Sequence, residues 1–188
     1  MGRIAMLCLA VLVAELLEGA DPLYLSAQQK LDRLLAGAEP PGATVVFTAA
    51  ELNGYARVKV PEVVPEGIRD PRVQLGAGVA DAYATVDFLK MRQARGAPTN
   101  RLLALMIEGE RPLKVSLRVA SAAGRATVYL TRVEISGAAA QGALLDFLIR
   151  NFFLPLYPDA KINEPFDLES HIERIDLQPA GIRVFVKK

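Results

Sequence analysis

His171 is the only histidine in the chain, and it directly follows Glu169 and Ser170. An imidazole acts as a general base in hydrolysis when a nucleophile and an orienting carboxylate converge on it. Consecutive residues of an extended chain point to opposite faces, so these neighbours do not converge through local geometry. No serine sits in a Gly-x-Ser-x-Gly elbow, and the lone Cys8 falls within an N-terminal stretch of leader-like composition. His171 therefore reads as a turn or surface residue. Carboxylates gather near the C-terminus at Asp159, Glu164, Asp167, Glu169, Glu173 and Asp176. Paired carboxylates run glycoside hydrolysis, but sugar sites lean on aromatic platforms and the chain has no Trp. Their spacing does not match the D-x-D-x-D-G order of a calcium loop, and a single Cys excludes a Cys-based zinc cage. These residues predict charged decoration, with no catalytic residue, no metal and no cofactor.

Gly76-Ala77-Gly78-Val79-Ala80-Asp81 begins like a dinucleotide fingerprint but lacks the third glycine. The residues after it are strand-like, where a pyrophosphate needs a helix N-terminus. A bent strand is the better reading. Arg57, Arg69, Arg72, Arg92, Arg95, Arg101, Arg111, Arg118 and Arg125 are scattered rather than run together. With 22 basic and 21 acidic residues the net charge is +1, so there is no electrostatic case for nucleic acid.

Without chemistry in the side chains, the elements carry the information. At 188 residues, 52% of them hydrophobic and only 6% aromatic, the chain builds an aliphatic core. Leu113, Val115, Leu117 and Val119 alternate with Lys114, Ser116 and Arg118, the period of a strand with one apolar face. Ile182, Val184 and Val186 repeat the pattern. A hairpin is predicted from strands over 112–120 and 126–136, with a bulge near Thr131 and Arg132 where the apolar register changes. A second disturbed strand or hairpin spans 72–88, broken at Gly76-Ala77-Gly78, and a final strand pair covers 172–177 and 182–186.

Helical spacing appears over 25–35, with Ser26 as a cap and Gly37 as a stop. A short strand over 44–47 leads into Thr48-Ala49-Ala50-Glu51, a capping box that opens a helix through Tyr55. Val58 to Val64 is rich in β-branched residues but carries Pro61, which predicts a strand at a sheet edge. The stretch 89–100 is charged and loop-like, and Leu102 to Met106 forms a short apolar turn or helix.

Residues 1–20 pair Arg3 with an apolar stretch of signal-peptide length and small residues beyond it. They read as an export signal; an uncleaved anchor is a second reading that Glu15 weakens, and an N-terminal apolar core helix a third that Glu15 and Glu18 keep open. Residues 21–188 then form a single domain, since no linker or internal repeat divides them.

The remaining helix covers 137–151 and runs on through Phe152 and Phe153 to Pro155. Its crowding of Leu and Phe exceeds what one sheet face needs from so short a helix. These side chains either fill a core or line a cavity between helix and sheet.

The order of elements then resembles small bacterial periplasmic proteins of the tubular lipid-binding (TULIP-like) type. The likeness rests on Phe47-Thr48-Ala49-Ala50-Glu51-Leu52-Asn53, on Val133-Glu134-Ile135-Ser136-Gly137 running into the apolar helix, and on the closing pattern from Pro165 to Val184. It covers roughly residues 43–187. The resemblance implies an α+β fold in which a curved, mostly antiparallel sheet wraps around or packs on a long apolar helix, with additional short helices. It implies an exported, non-enzymatic protein of the periplasm or cell envelope that binds or carries lipid or another hydrophobic molecule, with transient contact at a membrane surface. Leu52, Tyr55, Val115, Leu117, Val128, Leu130, Leu144, Leu145, Phe147, Leu148, Phe152 and Phe153 are the expected lining. The competing reading is a structural or protein-interaction module of the envelope, with a filled core and no ligand.

Overall fold

A computed structural model describes residues 21–64, 66–94, 96 and 108–188. The expected leader and the apolar turn or helix at Leu102 to Met106 lie outside the described residues. The fold is α+β with antiparallel sheets.

Helix α1 spans Pro22–Leu35. Its cap is Asp21, whose carboxylate accepts from the Leu23 N–H at 2.9 Å, and Pro22 supplies the first helical residue. Ser26, expected as the cap, instead sits one turn inside, because the Asp-Pro pair satisfies the helix start earlier. Strand β1 (Thr44–Thr48) turns Val45 and Phe47 inward, and Thr48 caps helix α2 (Ala49–Val63) through the reciprocal box with Glu51.

Helix α2 does not end near Tyr55. The expected edge strand at Val58 to Val64 is its second half, and Pro61 lies within it. Val60, Val63 and Val64 recur at helical spacing on one side, and the Val64 N–H closes the last turn on the Val60 carbonyl at 2.9 Å. Burial of that side outweighs the strand preference of three valines. Gly54 lets α1 approach: a Cβ there would stand 2.8 Å from the Leu23 Cβ.

Strands β2 (Ile68–Gly76) and β3 (Val79–Asp87) form a hairpin that turns at Ala77-Gly78, so the glycines make a tight bend, with strand rather than helix after it. The bulge of this pair lies between Arg69 and Arg72. Helix α3 (Phe88–Ala94) takes the last residue of the expected 72–88 strand and the start of the expected loop, and buries Phe88 and Met91. Strands β4 (Glu110–Ala122) and β5 (Arg125–Ile135) make the second hairpin. Two-residue β6 (Ala138–Ala139) occupies the expected start of the apolar helix, which begins only at α4 (Ala143–Leu148) and continues as a π-helical turn over Ile149–Phe153. Among the described residues there is accordingly no long apolar helix. Strand β7 (Pro165–Asp167) pairs with the start of β5, and β8 (Ile172–Gln178) and β9 (Gly181–Val186) close the chain.

The strands divide into two sheets, ordered β1-β9-β8 and β2-β3-β4-β5-β6. Each has its own core. The smaller sheet packs Val45, Phe47, Val184 and Val186 against Ala27 and Leu34 of α1. The larger packs Val86 with Phe88, Met91, Val64 and Phe152. The tips of the two hairpins meet the outer edge of β8. Gly78 N–H donates to the Leu177 carbonyl at 3.0 Å, Ile175 N–H donates to Ser121 Oγ at 3.0 Å, and Gly124 N–H donates to the Glu173 carbonyl at 2.7 Å. An edge that would otherwise offer unpaired backbone groups is thereby closed.

Candidate functional site

The inner face of the larger sheet is incompletely covered. Leu113, Val115 and Leu117 of β4 point the same way at period 2, beside Val128 and Leu130 of β5. The expected bulge is present: Ser116 faces Arg132 and Leu117 faces Leu130, so Thr131 is the extra residue. Its hydroxyl donates to the Ser116 carbonyl at 2.8 Å. The insertion shifts the alternation by one, which brings Val133 to the face already occupied by Val128 and Leu130.

Above this face lies a cavity of about 600 Å³. Val60, Val63 and Val64 of α2 wall one side, and Phe88 and Met91 of α3 another. The cover is the helical stretch with Leu145, Leu148, Ile149, Phe152 and Phe153. In the π-helical turn the Leu154 N–H reaches the Ile149 carbonyl at 2.9 Å, which adds a residue to the turn and resets the direction of the phenylalanines after it. Phe152 is only 5% exposed and meets the ring of Phe88 edge-on at 4.9 Å. Val115, Leu117, Val128, Leu130, Leu145 and Leu148 are all only half-buried although they face inward, because none of the described residues fills the space before them.

The structure thus brings Val115, Leu117, Val128, Leu130, Leu145, Leu148, Phe152 and Phe153 to one cavity. It does not bring the other expected residues there. Leu52 and Tyr55 pack on the core of the smaller sheet, because the first half of α2 faces α1, where Tyr55 stacks on Tyr24 at 5.9 Å. Leu144 is 49% exposed, and Phe147 packs edge-on against Phe152 at 5.9 Å without lining the cavity. The walls missed from sequence are Val60, Val63 and Val64, hidden by Pro61, and Phe88 and Met91, hidden by their charged neighbours. Helical spacing was the available signal for both.

Of the polar groups singled out as possible chemistry, Asp159 is the one described residue that lines the cavity, and the other described ones lie elsewhere. His171 Nε2 pairs with the Leu34 carbonyl and ties the start of β8 to the end of α1. Asp81, Lys114 and Ser116 form a cluster on neighbouring strands β3 and β4, where Ser116 and Lys114 hold the Asp81 carboxyl below its ordinary range against the opposing effect of burial. Arg72 lies over Tyr83 at 4.6 Å and Arg118 over Tyr129 at 3.9 Å. Among the described residues no group of three His, Cys, Asp or Glu side chains is placed to hold a metal ion.

The most perturbed carboxylate is Glu51, 6% exposed. Burial opposes its charge, but hydrogen bonds from Lys30, Ser26 and Thr48 prevail and lower its pKa from 4.5 to about 2. Lys30 Nζ reaches Glu51 at 2.6 Å and the Val46 carbonyl on the open edge of β1 at 2.8 Å. This network joins α1, β1 and α2 and does not line the cavity.

Comparison with protein-family models, with curated proteins and with solved structures gives no match for this chain. No helix among the described residues is long and apolar enough to cross a membrane.

Proposed function

We propose that this protein binds an aliphatic ligand in the cavity and holds or carries it without chemical transformation. The observation that carries the reading is the mismatch between lining and filling: about 600 Å³ bounded by Leu, Val, Ile and Phe. Closely packed interiors rarely leave voids larger than a water molecule, whereas ligand sites fall in the range of about 300–1,000 Å³. Removing an apolar chain from water onto these walls yields roughly 25 cal/mol per Å² of apolar surface buried. Passive binding therefore needs no reactive residue.

The reading extends to a TULIP-like protein of the periplasm or cell envelope, in which the short helical cover Ala143–Phe153 would take the part of the long wrapped helix. Support for export comes from the composition of residues 1–20. The unfilled interior favours ligand carriage over a structural module with a filled core. A displacement assay tests the proposal. Purified, solvent-extracted protein is titrated with a fluorescent fatty-acyl probe, and Leu130→Trp is compared with the parent. Saturable binding near one probe per chain, abolished by the bulky substitution, is the expected result. Absence of saturable binding in the parent contradicts it.

A further inference from the structure

We propose that the cavity takes an amphiphile with a single aliphatic chain and a zwitterionic head, an inference that rests on the binding reading above. A methylene is close in size to a liquid water molecule, on the order of 30 Å³. A cavity of about 600 Å³ therefore matches roughly 20 such groups, the size of one chain of ordinary length.

Polarity varies along the cavity wall. Val86, Phe88 and Met91, on its walls, are shut off from solvent. Phe153, Tyr157 and, on the α2 wall, Val63 line it and are exposed, the rings of Phe153 and Tyr157 lying 5.4 Å apart. The lining side chains with polar atoms are Tyr157, Asp159 and Lys161, all exposed and all within one short stretch after the helical cover. A ligand with a polar group in mid-chain would leave it unpaired against hydrocarbon, whereas a terminal head meets this stretch.

Asp159 and Lys161 carry opposite charges, and neither has a salt bridge or side-chain hydrogen bond among the described residues. An ammonium complements Asp159, and a phosphate or carboxylate complements Lys161. A head bearing both signs engages both residues.

The test uses the full chain and probes of one chain length: hexadecane, palmitate, hexadecylamine, palmitoyl lysophosphatidylethanolamine, and the corresponding diacyl lipid offered in vesicles. Each competes with the fluorescent fatty-acyl probe. The lysophospholipid is expected to bind about two- to fivefold more tightly than the acid or the amine, the scale of exposed ion pairs. Lys161→Gln then weakens the acid and the lysophospholipid but spares the amine, and Asp159→Asn weakens the amine and the lysophospholipid but spares the acid. Equal affinity for all heads, or substitutions that leave the ranking unchanged, overturns the head-group assignment. A diacyl lipid that outcompetes its lyso form overturns the single chain. Failure of every compound to displace the probe is a failure of the binding reading itself.

Discussion

The carboxamide of Asn53 pairs with the backbone of Val73 in both directions, donating to its carbonyl at 2.9 Å and accepting from its N–H at 2.7 Å. It therefore acts as a one-residue strand on the outer edge of β2, while its second donor hydrogen bond reaches the Ala49 carbonyl at 2.8 Å. This couples the helix whose first half packs on the smaller sheet to the sheet that walls the cavity. Asn53→Leu leaves two partly buried backbone groups unpaired. It is expected to lower stability by about 1–3 kcal/mol in urea denaturation, and to raise self-association as the edge is freed.

Glu51 predicts a pH signature. Its folded-state pKa, about 2, lies below the ordinary 4.5, so the unfolded chain binds the proton more readily. The stabilisation is complete above about pH 4.5 and is lost as the pH falls through about 2. In Glu51→Gln the acid-side decline in stability over that window is expected to flatten, with a loss at neutral pH of about 1–3 kcal/mol. Denaturant midpoints between pH 7 and pH 2 measure both.

The two cores separate stability from binding. Leu52→Ala removes packing in the smaller core only and is expected to cost about 2–4 kcal/mol, while probe affinity of the folded protein stays unchanged. Val115→Phe is expected to reverse this, occupying empty space with little stability cost and weakening the probe at least tenfold. Thermal melts and titrations on the same samples distinguish them.

Deleting Thr131 removes the bulge. Leu130 then stays opposite Leu117 and Arg132 opposite Ser116 with no residue between them, so Val133 keeps the cavity face and Arg132 stays off it. Saturable probe binding is expected to persist, with far-UV circular dichroism still reporting a folded sheet protein.

Gly181 meets the backbone of Phe47 so closely that a Cβ would collide with its carbonyl oxygen. Gly181→Ala is expected to destabilise by about 2–4 kcal/mol, seen as accelerated hydrogen exchange in β1 and β9.

Much of the wall was legible because strands write their facing into a two-residue period. Leu113 to Leu117 showed it directly, and the break near Thr131 marked the bulge. The capping box at Thr48 and Glu51 was equally local. Pairing between distant segments was not legible. Nothing in β1 announces that it joins β9 in a separate sheet, and this partition moved Leu52 and Tyr55 away from the cavity. Pro61 suppressed a helical pattern in Val60, Val63 and Val64 because its local penalty is visible in sequence and the compensating burial is not. The apolar helix was placed too early because β6 is only two residues long, Ala138–Ala139, held by pairing to Glu134 and Ile135 rather than by its own preference.

The central claim is that the space over Val115, Leu117, Val128 and Leu130 is a ligand site. Organic extraction of the purified native protein, then mass spectrometry and quantification against protein, addresses it without any chosen probe. The account predicts one aliphatic compound recovered at close to one per chain, and absent from a parallel preparation of Leu130→Trp. Equal recovery from both proteins, or none from either under conditions that retain a bound chain, would contradict it.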